Sequence, residues 1–284
     1  AYPERIAKKM DAKSARFRLY NSRPAFLKKE DHLSDLDWVA AAQVDGGINK
    51  GRIFLAAPFD PQDLAHKIYT ETIVYWDREK EMLASQEEQR LGSLVVSSKT
   101  IKDIDPEAAA NVLCQTILQQ PDLLPWKEGA ANWLARLNSL RHWRPKENWP
   151  VLNKEMLLGS LEEWLKPYLS NIRKITDFKG IDLISLISTQ IPWEFSQKMD
   201  QLAPTRLQVP SGSNIRIQYF EDGRPPILAV RLQEIFGLFD TPTVNQGQLK
   251  VMVHLLSPAM RPVQVTQDLR SFWENTYAEV RKEL

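Results

Sequence analysis

The segment SARFRLYNSRPAFLKKEDHLSDLDWVAAAQVD, residues 14–45, predicts how the N-terminal part of the chain folds. Its first strand places apolar side chains on one face and mostly basic ones on the other: Ala15, Phe17 and Leu19 against Arg16, Arg18 and Tyr20. Alternation with a period of two residues is typical of a half-buried strand. The next residues predict a turn, a returning strand and a further strand: Asn21-Ser22-Arg23, 25–27 and 38–44.

More strands follow before residue 100. Apolar or alternating segments at 52–57, 71–76, 82–84 and 94–96 predict them, with one short helix capped by Asp60. Small strand-rich units usually close into barrels, which removes their unpaired edges. The sequence therefore predicts an OB-like β-barrel, with an SH3-like barrel or an open sheet as alternatives. A short helix at 2–9 is expected before it, and Asp45-Gly46-Gly47 predicts a turn.

The spacing of apolar residues becomes helical at Asp105. Five helices are predicted between 105 and 203. After Pro204 the pattern predicts strands at 207–209, 215–219, 249–255 and 263–265, with helices at 229–238 and at the C-terminus. The predicted fold class is mixed α+β, in three domains: an OB-like barrel with an N-terminal helix (1–104), a helical domain (105–203) and a small α+β domain (204–284).

Composition excludes several classes of protein. The 284 residues are 43% hydrophobic and 26% charged, which is a globular balance. No segment approaches the roughly 18 unbroken apolar residues of a membrane span, so no membrane partner is expected. The only cysteine, Cys114, cannot form an internal disulfide, which favours a reducing, cytoplasmic location. Its place on the apolar side of a helix predicts an inert core thiol.

Motifs for chemistry are missing. The chain has no GxxxxGK[ST] phosphate loop and no GxGxxG, HExxH or GxSxG. The adjacent carboxylates Glu87-Glu88 and Glu162-Glu163 are expected on solvated faces, because no further carboxylate is placed to shift their pKa values. The sequence therefore predicts no catalytic residue, no metal site and no cofactor in this chain.

Basic charge is concentrated near the N-terminus. The formal net charge of the chain is only +1, yet residues 1–29 hold nine Lys/Arg against two acidic residues. Phosphate contacts need cations along a backbone, and single strands also stack on aromatic rings. The candidate nucleic-acid-binding residues are Arg16, Arg18, Arg23, Lys28 and Lys29, interleaved with Phe17, Tyr20 and Phe26. The alternative is a solvated strand face with its aromatic rings in the core.

A second, weaker basic-aromatic cluster consists of Arg141, Trp143 and Arg144. Here the favoured interpretation is structural: the tryptophan packs the helical domain and the charges decorate its loop.

The segments AYPERIAKK, RFRLYNSRPAFL and DWVAAAQVDG resemble the start of the OB-fold region in DEAH-type helicases. Four later segments resemble the C-terminal half of the HrpB branch, the bacterial ATP-dependent DEAH/DExH-box helicases: RLGSLVV, LEEWLKPYL, RLQEIFGL and HLLSPAMRPVQVTQDLRSFWENTYAEVRKEL. The resemblance covers essentially the whole chain. One departure is Ser22, where the turn in that family often has glycine.

The resemblance implies that the ATP-hydrolysing domains, which use ATP and magnesium, precede this region. It implies that the OB region contacts the nucleic-acid backbone at the exit of the single-strand channel, through Arg16, Arg18, Arg23 and Lys28. The expected partners are single-stranded RNA and the motor domains of the same polypeptide.

The first functional hypothesis is therefore a non-catalytic accessory region of an ATP-dependent RNA helicase, which guides RNA or docks on the motor. The alternative is a protein-interaction scaffold with no nucleic-acid role, since six of the nine tryptophans lie between 105 and 203.

Overall fold

The computed structural model describes residues 3–12, 14–45 and 51–282. The chain divides into two compact units, residues 1–112 and 113–284. The predicted mixed α+β class is confirmed. The finer division into three domains, with boundaries after residues 104 and 203, stays a prediction. The predicted Asp45-Gly46-Gly47 turn falls largely outside the described residues.

Five strands of the first unit close a barrel, in the order β1-β2-β3-β5-β4, which is consistent with the predicted OB-like barrel. All neighbours are antiparallel except β3 and β5, which run parallel. The strands are β1 (Ile6–Lys9), β2 (Arg16–Leu19), β3 (Pro24–Phe26), β4 (Trp38–Val44) and β5 (Gly51–Pro58).

The predicted N-terminal helix at 2–9 is wrong. Only Pro3–Arg5 forms a 3-10 turn, and β1 follows it directly. β1 pairs with β2 on one side and β4 on the other, so it closes the barrel. A four-residue IAKK strand carries too little alternation to be recognised locally, and these long-range pairings decide its conformation.

The barrel core consists of the inward-facing residues of these strands and of the loop after β3. Its fully or almost fully buried members are Ala7, Phe17, Leu19, Ala25, Leu27, Leu33, Val39, Ala41 and Ile53. Burial of Phe17 and Leu19, with Arg16 and Arg18 exposed, confirms the predicted alternation of β2.

The remaining strands of the first unit form a separate antiparallel sheet and do not join the barrel. Glu88 on its middle strand is buried, so the prediction of a solvated Glu87-Glu88 pair is wrong for Glu88. Glu88 lies opposite Glu71, and Arg90 contacts both carboxylates, at 3.5 and 3.0 Å. The strands are β6 (Tyr69–Asp77), β7 (Met82–Leu91) and β8 (Leu94–Ile101).

The turn between β7 and β8 fixes this sheet to the barrel. Ser93 donates through its backbone N–H and its hydroxyl to the Tyr20 carbonyl, at 3.0 and 2.7 Å. Gly92 has φ +62°, and a Cβ there would lie 2.5 Å from the Tyr20 ring. This close approach explains why a residue without a side chain stands at position 92.

Helices dominate the first part of the second unit. The helix opened by Asp105, which accepts a hydrogen bond from Ala108 N–H at 2.7 Å, forms as predicted and crosses the boundary between the units. The helices are α1 (Pro106–Gln119), α2 (Ala130–Trp143), α3 (Lys154–Gly159), α4 (Leu161–Trp164), α5 (Leu183–Ser188) and α6 (Trp193–Leu202).

A five-stranded sheet follows, in the order β15-β14-β11-β10-β9, with β12 and β13 as a separate hairpin. The predicted helix at 229–238 is wrong: residues 227–231 form β11, and only Leu232–Ile235 make a 3-10 turn. β11 pairs in parallel with β14 and antiparallel with β10, so the sheet overrides the local helical spacing. The strands are β9 (Arg206–Gln208), β10 (Asn214–Gln218), β11 (Ile227–Arg231), β12 (Thr243–Val244), β13 (Leu249–Lys250), β14 (Met252–Leu256) and β15 (Pro262–Thr266).

The C-terminal helical segment comprises α7 (Leu269–Ser271), a π-helical turn (Phe272–Thr276) and α8 (Tyr277–Val280). No helix in the described ranges is long and apolar enough to cross a bilayer.

Helix α2 is anchored by polar side chains that form hydrogen bonds with other elements of the second unit. Arg136, whose side chain is 3% exposed, donates to the Ala203 carbonyl at 2.6 Å and to Asp200 at 2.5 Å. Asn132 donates to the Ile217 carbonyl at 3.2 Å and accepts from Tyr219 N–H at 2.9 Å. These bonds join α2 to the end of α6 and to β10 within one unit.

Replacement of Arg136 tests this anchor. Arg136→Ala removes the donors and leaves a buried carbonyl unsatisfied beside a cavity, so we expect the free energy of unfolding to fall by about 3 kcal/mol. Chemical denaturation monitored by tryptophan fluorescence measures the change. The control is Asp200→Asn, which removes only an exposed partner and should cost less than about 1 kcal/mol. Equal losses in both variants would contradict the anchoring role of the backbone contacts.

Replacement of Gly92 tests the junction between barrel and sheet. Gly92→Ala places a methyl group against Tyr20 in a left-handed backbone conformation, so we expect a loss of about 2 kcal/mol or more. Hydrogen exchange should place the loss within residues 1–112. In the control Gly159→Ala, the new methyl group meets open space at the end of α3 and should not destabilise. A Gly92→Ala protein as stable as the parent would show that the turn adapts freely.

Candidate nucleic-acid interface

The outer face of the barrel carries the predicted site residues of β2. Arg16 and Arg18 are exposed on either side of the buried Phe17. Among the described residues, no acidic side chain lies within ion-pair distance of either arginine. Their charges are therefore available to a ligand.

Strand pairing extends this face into a basic-aromatic row. Arg16 lies opposite Phe26 on β3, and Phe26 lies beside Arg52 on β5. The Arg52 guanidinium lies over the Phe54 ring, 5.1 Å from its centroid. Phe26 is 37% exposed and Phe54 54% exposed, so both rings are accessible to solvent. We call Arg16, Phe26, Arg52 and Phe54 the barrel row.

Arg52 and Phe54 were not among the residues predicted from the sequence. The segment RIF in β5 begins, like RFRL in β2, with an arginine followed by a buried apolar residue. That signal indicates an outward arginine, but it does not indicate that Arg52 neighbours Phe26. The neighbourhood depends on the parallel pairing of β3 with β5.

A groove adjoins the barrel row. It has a volume of about 490 Å³ and is lined by Met10, Ala15, Arg16, Pro24 and Phe26, among others. The other end of the same face is covered: Lys8 donates to the Val95 carbonyl at 2.6 Å, and its ammonium lies 5.4 Å from the Trp38 ring centroid. The accessible part of the face therefore begins at Arg18 and extends across the row.

The other predicted residues of the hairpin lie outside the row. Arg23 is half-buried in the turn, where Ser22 has φ +70°, so the tight turn forms without the family's glycine. Lys28 and Lys29 are exposed beyond β3. Two acidic residues follow them directly in the sequence, and this lowers the local positive potential. Their role in binding stays a prediction.

The second predicted cluster is held by internal contacts. Trp143 donates to the Gly223 carbonyl at 2.6 Å, and Arg141 donates to Asn138 at 3.0 Å. Arg144 donates to Asn245, to Gln246 and to Glu147. Its guanidinium holds the pKa of the Glu147 carboxyl below the usual value. These contacts favour the structural interpretation of the cluster.

In the described part of the chain, no group of three or more His, Cys, Asp or Glu side chains is placed to hold a metal ion. Cys114 is buried as predicted, and burial raises the pKa of its thiol. A raised pKa lowers the thiolate fraction and with it the reactivity.

Comparison with known proteins identifies helicase relatives. A family model described as ATP-dependent helicase C-terminal matches residues 164–284. The ATP-dependent RNA helicase HrpB of Escherichia coli (strain K12) is 32% identical over 291 aligned positions, which cover 100% of this chain and 36% of that protein. The chain thus spans little more than a third of the relative that it matches.

Two solved structures from E. coli are similar to the chain. The DExH-box NTPase HrpB is 32% identical with a TM-score of 0.57, and the match covers 99% of this chain and 36% of that one. The DEAH/RHA helicase HrpB is 30% identical with a TM-score of 0.54, and the match covers 98% and 35%.

Proposed function

Because the chain belongs to the HrpB family of ATP-dependent helicases, we propose that its barrel guides single-stranded RNA as a non-catalytic accessory to the helicase motor. The barrel row carries the proposal: it joins two cations and two accessible aromatic rings on one open sheet face. Cations track a phosphate backbone, and aromatic rings stack on bases regardless of sequence.

The chemistry of ATP hydrolysis belongs to other domains in this proposal. Motor domains of the same polypeptide would bind ATP and Mg²⁺, and this chain would hold the strand that they move. Similarity to an ATP-dependent RNA helicase supports this division. The proposal places the protein in the cytoplasm, where a lone cysteine such as Cys114 stays reduced.

The alternative function, a protein-interaction scaffold, has less support. Four of the tryptophans that suggested it are buried in the second unit: Trp126, Trp133, Trp149 and Trp164. Trp193 is 66% exposed and could serve docking. One exposed ring is common on a protein surface and does not define an interface.

Charge reversal on β2 tests the cationic part of the proposal. Arg16→Glu with Arg18→Glu should weaken binding of a labelled single-stranded RNA about tenfold or more and flatten its salt dependence, because two phosphate contacts are lost. Fluorescence anisotropy over a range of salt concentrations measures both effects. The control reverses two exposed lysines of the same unit outside the barrel strands, Lys67→Glu with Lys102→Glu. Unchanged binding by the arginine variant would overturn the assignment.

Removal of the two rings tests stacking separately from charge. Phe26→Ala and Phe54→Ala should each cost about 1–3 kcal/mol of binding free energy, with an unchanged salt slope, because stacking releases no counterions. Leu55→Ala is the matched control, since Leu55 is 60% exposed beside Phe54 but has no ring. An equal loss in the control would show that apolar contact, and not stacking, supplies the affinity.

A further inference from the structure

The five-stranded sheet of the second unit has an unusual distribution of charge. Its strands contain three arginines and one histidine, Arg206, Arg216, Arg231 and His254, and no aspartate or glutamate. This bias is invisible in the composition of the whole chain, whose formal net charge is +1. A sheet with cations and no anions creates a local positive potential.

Strand alternation brings the arginines to one open face. The opposite face buries the apolar side chains Ile217, Leu228, Val230, Val253 and Leu255. Arg206, Arg216 and Arg231 are exposed, and so are the amide side chains Gln208, Asn214 and Gln218 on the edge strand β9 and its neighbour β10. The open face therefore offers guanidinium groups and amides across three neighbouring strands.

Two of the arginines lie directly opposite each other. Arg206 on β9 faces Arg216 on β10, a pairing of like charges that is unfavourable for the sheet. Arg206 donates to the Asn214 carbonyl at 3.0 Å. Within the described residues no carboxylate lies in ion-pair distance of either guanidinium. The repulsion between the two guanidinium groups opposes folding, and a bound anion would relieve it.

A cleft adjoins Arg216. It has a volume of about 450 Å³, and its lining includes Lys127, Asn132, Arg216, Gln218 and Tyr219. The Asn132 side chain forms hydrogen bonds with the backbone of Ile217 and of Tyr219. The Tyr219 hydroxyl donates to the Pro204 carbonyl at 2.7 Å. The wall is thus fixed by internal hydrogen bonds, while Lys127 and Arg216 contribute two positive charges.

We propose that this sheet face binds the phosphate backbone of single-stranded nucleic acid, as a second contact site on the second unit. The three arginines lie on three successive strands, and this spread fits an extended polyanion better than a mononucleotide. The guanidinium fork matches phosphate geometry, and side-chain amides reach sugar hydroxyls and base edges. The ligand class rests on the proposed function, but the site shares no residue with the barrel row.

The test compares salt-dependent RNA binding by the full chain and by Arg206→Glu with Arg216→Glu. Loss of two contacts at a slope of about −0.7 each should make the variant about sevenfold less sensitive to a change from roughly 50 to roughly 200 mM salt. Arg206→Gln with Arg216→Gln should weaken binding in the same direction without lowering the melting temperature, because like charges are removed. The control is Arg281→Glu with Lys282→Glu, outside the five strands.

Photocrosslinking with 4-thiouridine-labelled RNA separates this site from the barrel. Crosslinks to β9, β10 or β11 should persist in the Arg16→Glu/Arg18→Glu protein and disappear in the Arg206→Glu/Arg216→Glu protein. If they never form, and the sheet variants bind RNA like the parent, the inference is wrong while the barrel proposal stands. If polyglutamate displaces the RNA from this face at equal charge, an acidic polypeptide is the better ligand and the assignment to nucleic acid is overturned.

Discussion

The pairing of β1 with both β2 and β4 is the constraint on which the first unit depends. It closes the barrel and thereby fixes which side of each strand is inside. Because side chains alternate with a period of two, a slip of one residue would turn Phe17 outward and Arg16 inward. Burial of Phe17 and Ala25 therefore stabilises more than the core, since it holds Arg16 and Phe26 on the same outer face. The outward position of these two side chains is therefore a consequence of core packing.

In the second unit, buried polar contacts fix how the elements pack against one another. Helix α2 is only partly amphipathic. Its side chains Arg136 and Asn132 donate hydrogen bonds to backbone carbonyls of other elements. Such bonds contribute little net free energy while they are made, and breaking one is costly because the abandoned group stays buried. They select one docking position of α2 against α6 and β10. That position forms the wall of the cleft beside Arg216.

The sequence predicted those features that depend on local pattern. The alternation of β2 and the change from strand to helical spacing at Asp105 are local, and the structure has both. It failed where long-range pairing decides: β1 was predicted as a helix, and so was the segment that begins in β11. The barrel row could not be predicted from local pattern, because Arg52 is distant from Phe26 in sequence. Only the parallel pairing of β3 with β5 makes them neighbours.

The two cationic sheet faces differ in what they can recognise. The barrel row interleaves guanidinium groups with phenylalanine rings, so under the proposed function its rings would stack on unpaired bases. The face of β9, β10 and β11 has arginines with amides and no aromatic residue, so its contacts would be to phosphate and sugar. Phosphate contacts position a strand without reading it, and they weaken steeply with salt. Under the two proposals, stacking would dominate binding at the barrel row and charge would dominate at the face of the second unit, and neither interaction depends on sequence. Contacts of these two kinds would suit the proposed accessory role, in which the base sequence of the RNA is not read.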